Sequence, residues 1–245
     1  MKKGVVPVSV LNKTYKDPTF IGSGCFGVVL RVAHKKRGDV VALKIQEFDG
    51  AAMQEVEMLS KLNPISPVFT KMHQAFLCRK LPASWVKAAA TKADYLTKCT
   101  CCVVIEMEYN PYTFAKAKIP NRRRFLYELI EAIMLARRKL GVFALNDFHI
   151  GNLMVDGKWR PKLIDFGYAT CSEEILEQDG NDDQFASYTD SGGHQEGKND
   201  FIRLQTILTQ KGWDVSWLDL SAAKNAKAND WKVLEDILNQ DFFKN

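Results

Sequence analysis

The chain has 245 residues, of which 46% are apolar and 26% are charged, and its net charge is +5. This length can bury one substantial core or two small ones, and the composition excludes a disordered chain. No run of about 18 apolar residues occurs and the first residues have no apolar run of signal-peptide length, so we expect an intracellular, cytoplasmic protein without a membrane partner. The basic residues form short clusters rather than a continuous stripe with interleaved aromatics, so no nucleic-acid partner is predicted.

The first part of the chain has the pattern of a small antiparallel sheet. Its apolar runs are rich in valine, isoleucine or phenylalanine and are separated by turn residues. The predicted strands are, in chain order, 18–24, 26–34, 39–48, 68–80 and 98–109. Apolar residues near helical spacing predict one helix over 51–63, and the alanine-containing stretch 81–96 predicts a short helical insertion.

The pattern changes near residues 110–115, which we take as a domain boundary between 1–110 and 111–245. A long helix is predicted over 125–141, with Gly141 as its C-cap. Two short apolar runs joined by Asp-Gly predict a small hairpin over 152–167. Residues 168–199 have little periodicity and read as a long loop. The chain closes with helical stretches at 201–210 and 230–243.

The six cysteines include a C-T-C-C cluster at 99–102, at the start of an apolar run. A strand there would put Cys99 and Cys101 on one face and Cys102 on the other. Buried reduced thiols in a reducing compartment fit this pattern best. A zinc site is the alternative, although no second C-x-x-C pair or suitably spaced histidine accompanies the cluster.

Three glycines, Gly22, Gly24 and Gly27, have the spacing G-x-G-x-x-G. A dinucleotide-binding turn needs these glycines between a strand and a helix, whereas here the chain continues as a strand. A glycine-rich hairpin can instead lie over a triphosphate, because glycine lets the backbone approach phosphate oxygens without a Cβ in the way.

The third predicted strand carries Ala42 and Lys44 on one face, because side chains alternate along a strand. Ala42 could then line an adenine slot while Lys44 reaches the phosphates. Glu55, eleven residues later on the predicted helix, offers a carboxylate that would hold Lys44 in place.

Three polar residues surround the predicted hairpin of the second part. Asn152 and Asp165 offer an amide oxygen and a carboxylate, which are ligands that Mg²⁺ prefers. Asp147 is a second carboxylate, which can orient and deprotonate an attacking hydroxyl. These residues predict magnesium and phosphate chemistry.

Together these stretches resemble the protein kinase superfamily across nearly the whole chain. G-S-G-C-F-G-V-V at 22–29 is similar to the glycine-rich loop, V-A-L-K at 41–44 to the third-strand lysine motif and D-F-G at 165–167 to the magnesium motif. The resemblance implies an α+β, bilobal fold with a small antiparallel-sheet lobe that contains one helix and a mostly helical, shortened large lobe.

The resemblance also implies a role for each matching residue. Lys44, paired with Glu55 or with the neighbouring Glu57, would bind the inner phosphates, and Asp147 would be the catalytic carboxylate. Asn152 and Asp165 would bind Mg²⁺, or Mn²⁺ in its place. The residues implied to contact ATP, besides Lys44, are Ile21, Gly22, Ser23, Gly24, Gly27, Val29, Ala42, Met107, Leu153 and the hinge residues Glu108, Tyr109 and Asn110.

The chain departs from the family at several positions. Asn146 stands where the family's H-R-D motif has arginine, so activation by loop phosphorylation is doubtful. His149 stands two residues after Asp147, where protein serine/threonine kinases usually have lysine, and looks more like kinases that act on small molecules. No A-P-E motif follows Asp165, whereas Asp200 is similar to the aspartate of a buried helix in the large lobe. This shortened lobe resembles kinases of large DNA viruses and bacterial effectors, whose setting would be the host cytoplasm or a virion.

The function expected from this resemblance is ATP- and magnesium-dependent transfer of phosphate to a serine or threonine of a protein substrate, with His149 among the catalytic residues. The acidic stretch 172–183 favours an acceptor with a basic surface. Two alternatives stay open: a small-molecule kinase acting on an aminoalcohol or aminoglycoside-like acceptor, and a nucleotide-binding pseudokinase scaffold. Ser187, Tyr188, Thr189 and Ser191 are candidate autophosphorylation sites.

Overall fold

The computed structural model describes residues 4–24, 27–89, 92–171, 198–214 and 230–240, together with 216, 219, 221, 222 and 243. The fold is α+β, and the chain forms two compact units. We call the first the sheet unit, Met1–Ser60 with Thr70–Tyr109, and the second the helical unit, Lys61–Phe69 with Asn110–Asn245. The acidic stretch 172–183 and the candidate autophosphorylation sites lie outside the described residues.

The sheet unit contains a five-stranded antiparallel sheet with the order β1-β2-β3-β5-β4. Its strands are β1 (Tyr15–Gly24), β2 (Gly27–His34), β3 (Val40–Glu47), β4 (Met72–Cys78) and β5 (Cys102–Glu108). Its helices are α1 (Val8–Thr14), α2 (Gly50–Leu62), α3 (Ala83–Ala88) and α4 (Ala93–Lys98). The five predicted strands and the helical insertion are present. The expectation of one helix in this lobe is wrong, because α1, α3 and α4 pack beside the sheet as well as α2.

The two faces of the sheet carry different residues. On one face, Leu43 of β3 packs with Leu11 of α1, Trp85 of α3 and Leu96 of α4 in a continuous apolar core. Lys44 and Gln46 point to the other face, because neighbouring strand residues alternate. β3 is therefore buried along nearly its whole length. The insertion around Trp85 closes the apolar face of the sheet.

The cysteine prediction is wrong for Cys99, Cys101 and Cys102. β5 begins at Cys102, because α4 extends to Lys98 and the chain turns over the next three residues, so strand alternation does not apply to Cys99 and Cys101. Cys99 and Cys102 are joined by a disulfide. Cys78 and Cys171, together with Cys101, are free thiols.

The helical unit is built around one long helix. α5 (Arg122–Leu140) begins where the Asn121 side chain accepts a hydrogen bond from the Arg124 amide, and it ends at Gly141, whose φ of 72° favours glycine. Its buried face carries apolar side chains at helical spacing, such as Phe125 and Leu129. α6 (Lys198–Gln210) and α7 (Lys232–Leu238) complete the described helices of this unit.

A three-stranded sheet, in the order β6-β7-β8, holds the predicted hairpin of the helical unit. The strands are β6 (Tyr112–Thr113), β7 (Leu153–Val155) and β8 (Pro161–Leu163). The turn is longer than the Asp-Gly pair predicted, because the Asp156 carboxylate accepts hydrogen bonds from the amides of Lys158 and Arg160. Within this turn, Trp159 has a positive φ of 64°.

The predicted division at residue 110 needs one correction. The segment Lys61–Phe69, predicted within the first domain, belongs to the helical unit. The Leu163 amide donates a hydrogen bond to the Val68 carbonyl, and the Lys162 ammonium donates one to the Pro67 carbonyl. Phe69 packs edge-on against Phe166. Within the described part of the chain, no helix has both the length and the apolar character needed to cross a membrane.

Candidate active site

A buried ion pair lies in the sheet unit between Lys44 of β3 and Glu55 of α2. The Lys44 Nζ atom is 2.8 Å from Glu55 Oε1 and 2.7 Å from Oε2, so the ammonium lies between both carboxylate oxygens. The Gln46 amide donates a further hydrogen bond to Glu55, at 3.1 Å. Lys44 is 6% exposed and Glu55 1% exposed. Glu57, the alternative partner, is wrong for this pair, because its side chain lies on the exposed side of α2.

The strand register places four of the residues implied for ATP contact on one face. Lys44 is directly opposite Val29 of β2, and Ala42 is directly opposite Met107 of β5. Directly paired residues share a face, and Ala42 and Lys44 alternate onto the same one. Val29, Ala42, Lys44 and Met107 therefore line one face of the sheet. Ile21 and Ser23, near the end of β1, are exposed.

The glycines of the β1–β2 hairpin have different surroundings. Gly24 and Gly27 pair at its end, with Cys25 and Phe26 outside the described residues. A Cβ on Gly27 would collide with the Ile45 carbonyl oxygen and lie 3.0 Å from the Gln46 Cβ, so Gly27 lets β2 approach β3. A Cβ on Gly22 would meet nothing within 4 Å. Only Gly22 of these two lies beside open space that a phosphate could share.

One backbone amide of the predicted hinge already donates a hydrogen bond within the sheet unit. The Glu108 amide donates to the Lys71 carbonyl at 2.9 Å, and the Lys71 amide donates to the Glu108 carboxylate at 2.8 Å. The Glu108 amide is therefore already engaged, and backbone contact of the hinge residues 108–110 with adenine stays a prediction. The Tyr109 ring lies beneath the Arg31 guanidinium, 5.5 Å from its centroid. Asn110, the first residue of this part of the helical unit, is buried.

In the helical unit, the loop before β7 brings Asp147, His149 and Asn152 together. The Asn152 side-chain amide donates to the Asp147 carbonyl at 2.9 Å and to Asp147 Oδ2 at 3.3 Å. His149 Nε2 lies 3.6 Å from the same carboxylate oxygen. A short 3₁₀ turn, Ile150–Asn152, connects this loop to β7, whose first residue, Leu153, is fully buried.

A buried aspartate anchors the loop from α6. Asp200 accepts hydrogen bonds from the amides of Leu145 and Asn146, at 2.9 and 3.2 Å. Burial raises the pKa of Asp200 to about 6, although these two amides and the nearby Arg137 guanidinium favour the carboxylate. The Asp200 side chain is buried, whereas α6 as a whole is exposed along one side, for example at Ile202.

Asn146 is a residue whose contacts the sequence did not predict. Its side-chain amide donates to the Tyr168 carbonyl at 2.9 Å and to the Thr170 hydroxyl at 3.1 Å. Its φ of 59° suits asparagine, which tolerates the left-handed region better than most residues. Asn146 therefore holds the segment after D-F-G in place with neutral hydrogen bonds.

Asp165 follows β8 and lies at the same end of the hairpin as Asn152. The Ile164 amide donates to the Asn152 carbonyl at 3.0 Å, so the residues that flank the two strands are held together. Asp165 has a φ of 63°, and its carboxylate accepts a long hydrogen bond, 3.5 Å, from the Gly167 amide. Phe166, the next residue, is fully buried.

The side chains at this end of the β7–β8 hairpin offer oxygen atoms of the kind that magnesium binds. Because the Asn152 amide nitrogen binds Asp147, its side-chain oxygen is turned away from that residue, and Asp165 adds a partly exposed carboxylate. Mg²⁺ binds through one or two protein oxygens and keeps waters or phosphates as its other ligands. In the described part of the chain, no cluster of three or more histidine, cysteine or acidic side chains could hold a metal. A metal held entirely by such protein ligands therefore has no support there.

The sheet unit contains a buried carboxylate besides Glu55. This is Glu106 of β5, which lies on the apolar face of the sheet. It accepts hydrogen bonds from the Tyr15 hydroxyl and the Gln74 amide, both at 2.5 Å, and it pairs with the Arg37 guanidinium. Burial favours the neutral acid, but these three donors outweigh it and hold the pKa of Glu106 below its usual range. Burial and the bond to Glu106 raise the pKa of Tyr15.

No known protein family matches this chain, and no curated protein matches it either.

Proposed function

We propose that the chain is an ATP- and magnesium-dependent phosphotransferase with a bilobal, kinase-like arrangement, and that it acts on serine or threonine hydroxyls of a protein. The observation that carries the proposal is the loop that holds Asp147. Asn152 orients the carboxylate, and Asp200 anchors the backbone of the loop. Such an anchored carboxylate is suited to act as a general base on a hydroxyl.

The Lys44–Glu55 pair supports the same proposal from the sheet unit. A buried carboxylate fixes the ammonium of Lys44, which can then bind phosphate oxygens without first being ordered. Val29, Ala42 and Met107 offer an apolar face for adenine, and Gly22 leaves space for a phosphate. These are contacts that a nucleoside triphosphate needs.

The reaction that these residues support is a displacement at the γ-phosphorus of ATP. The acceptor oxygen forms a bond to phosphorus, the bond from phosphorus to the β–γ bridging oxygen breaks, and ADP leaves with that electron pair. The proton of the acceptor hydroxyl passes to the Asp147 carboxylate. Asn152 and Asp165 would hold Mg²⁺, which, when bound, offsets negative charge on the phosphates.

A basic protein is the acceptor class that charge favours. The stretch 172–183 contains six acidic residues and no basic one. Opposite charge on an acceptor raises the rate of encounter. We therefore expect phosphate transfer to a basic protein to be faster than transfer to an acidic one.

A small-molecule kinase is the second candidate, and His149 is the observation that favours it. Protein serine/threonine kinases usually have lysine at this position, whereas the His149 ring accepts a hydrogen bond from the Gly151 amide within the loop. An enzyme that phosphorylates aminoalcohols would retain the same chemistry at Asp147.

The test is transfer of radiolabelled γ-phosphate by the wild type and by Asp165→Asn, with magnesium and three acceptor classes: a basic protein, an acidic protein and a set of aminoalcohols. We expect label on the basic protein, lost in the variant. Label on an aminoalcohol would favour the second candidate. A folded, magnesium-replete wild type that transfers no label but binds nucleotide would point to a scaffold and overturn the proposal.

A further inference from the structure

The ring of His149 is held in one orientation by the backbone that follows it. The Gly151 amide donates a hydrogen bond to His149 Nδ1 at 3.0 Å. A ring nitrogen accepts a hydrogen bond only through a lone pair, so in the neutral imidazole the hydrogen is on Nε2. This contact therefore selects one tautomer.

Gly151 is required for this arrangement. A Cβ on Gly151 would lie 2.8 Å from His149 Cε1 and 3.0 Å from Nδ1. The first of these distances is shorter than real Cβ contacts, so any other residue at position 151 would displace the ring. Histidine at 149 and glycine at 151 form one structural unit.

The ring places its Nε2 atom beside the catalytic carboxylate. Nε2 lies 3.6 Å from Asp147 Oδ2, slightly beyond hydrogen-bond distance, and the Asn152 amide nitrogen lies 3.3 Å from the same oxygen. Two groups that can donate a hydrogen bond therefore lie near Oδ2. Among the described residues, no hydrogen bond is made to Oδ1 of Asp147, so Oδ1 is the oxygen that an acceptor hydroxyl can reach.

We propose that His149 is a positioning residue, which donates through Nε2 to Oδ2 of Asp147 and leaves Oδ1 as the oxygen that takes the acceptor's proton. This inference rests on the proposed phosphotransferase function. The short movement needed to close the gap of 3.6 Å is of the kind that substrate binding produces at catalytic hydrogen bonds. His149 thus contributes to catalysis through the carboxylate rather than by contact with ATP.

Two substitutions at His149 distinguish the contributions of its two ring nitrogens. The side-chain oxygen of asparagine occupies about the place of Nδ1, and the amide nitrogen of glutamine about that of Nε2. His149→Asn keeps the contact to Gly151 and loses the donor to Asp147, so we expect kcat to fall about 10-fold with little change in the KM for ATP. His149→Gln restores that donor, and its kcat should be within about threefold of wild type.

Gly151→Ala tests whether glycine at position 151 is needed to hold the His149 ring in its orientation. With His149 present, the added methyl group displaces the ring, and we expect kcat to fall about 10-fold. In the His149→Ala background the same change should alter kcat less than about twofold, because no ring is left to displace. Thermal unfolding of each variant shows whether the loop remains folded.

A nitrogen–proton NMR correlation of the histidine side chains tests the tautomer without any turnover. The chain has four histidines, and the His149 signal is the one lost in His149→Gln. We expect hydrogen on Nε2; hydrogen on Nδ1 would overturn the inference. Equal kcat for His149→Asn and His149→Gln, or additive effects of Gly151→Ala and His149→Ala, would also overturn it. A wild type with no transfer activity would instead overturn the proposed function on which it rests.

Discussion

Two buried carboxylates of the sheet unit, Glu55 and Glu106, have chemically different partners. Glu55 contacts Lys44 and Gln46 on one face of the sheet, whereas Glu106 contacts Tyr15, Gln74 and Arg37 on the other. Both carboxylates are almost inaccessible to solvent. Burial alone therefore does not show whether either carboxylate has a role in a reaction or in the stability of the fold.

The chemistry of the partners makes the distinction. Through hydrogen bonds to Glu106, the cluster joins the start of β1, the turn that follows β2, and strand β4. These bonds satisfy a charge that would otherwise destabilise the core. The Glu55 pair instead fixes one lysine on the face that carries Val29, Ala42 and Met107. We infer that loss of the first cluster lowers stability and loss of the second lowers turnover.

The largest effect is expected at Lys44. Lys44→Met removes a fixed cation, and phosphate transfer should fall about 10³-fold, which is the upper end of what one electrostatic contact contributes. Arg37→Met is the matched control, because it removes the cation of the other cluster. We expect it to lower the melting temperature and to leave kcat of the folded protein unchanged. Equal losses of kcat in both variants would break the comparison.

Glu106→Gln should produce the largest loss of stability. The substitution removes the charge that pairs with Arg37 and leaves donors imperfectly satisfied, so the free energy of unfolding should fall by about 3 kcal/mol. Urea unfolding monitored by tryptophan fluorescence measures it. Phosphate transfer at low temperature, where the variant is folded, should be normal. A stable variant with no activity would show that Glu106 has been assigned to the wrong role.

The pH dependence of stability sharpens the same point. The pKa of Glu106 is lower in the folded protein than in the unfolded chain, so its contribution to stability is present above the unfolded value and is lost as the pH falls through the folded value. We expect urea midpoints of the wild type to fall on acidification in this range and those of Glu106→Gln to fall less. Parallel curves for the two proteins would contradict the assignment.

The smallest effect separates two glycines of one motif. Gly27→Ala forces β2 away from the Ile45 carbonyl and should cost about 1–2 kcal/mol of stability. Gly22→Ala meets open space, so its stability should match wild type while its KM for ATP rises severalfold. The two variants control for each other. An unchanged KM for Gly22→Ala would argue against a phosphate beside this glycine.

The sequence predicted contacts that follow from local spacing. Alternation along β3 and a helix eleven residues later were enough to pair Lys44 with Glu55, and the hairpin explained why Asn152 and Asp165 lie at one end. The partners of Glu106 could not be predicted, because Tyr15 is 91 residues away and Arg37 is 69 residues away in the chain. Side-chain pairing over such distances depends on packing that no short motif encodes.

Other features were missed for related reasons. Asn146 was read as a missing arginine, because its hydrogen bonds to Tyr168 and Thr170 appear only when the two segments meet. Gly27 was predicted as a phosphate contact, and the approach of β3, which also requires glycine there, is not visible in a glycine spacing. No element was predicted where α1 forms, and the predicted helical insertion over 81–96 forms two helices, α3 and α4.

The measurement that tests the central claim most directly is single-turnover transfer of the γ-phosphate by wild type, Asp147→Asn and Asp156→Asn. Both substitutions change an aspartate of the helical unit to its amide. Asp147 lies in the loop before β7, whereas the Asp156 side chain stabilises the turn between β7 and β8. We predict transfer by wild type and Asp156→Asn, and a rate at least about 10²-fold lower for Asp147→Asn. Equal rates for Asp147→Asn and wild type, or no transfer by folded wild type with magnesium, would contradict the account.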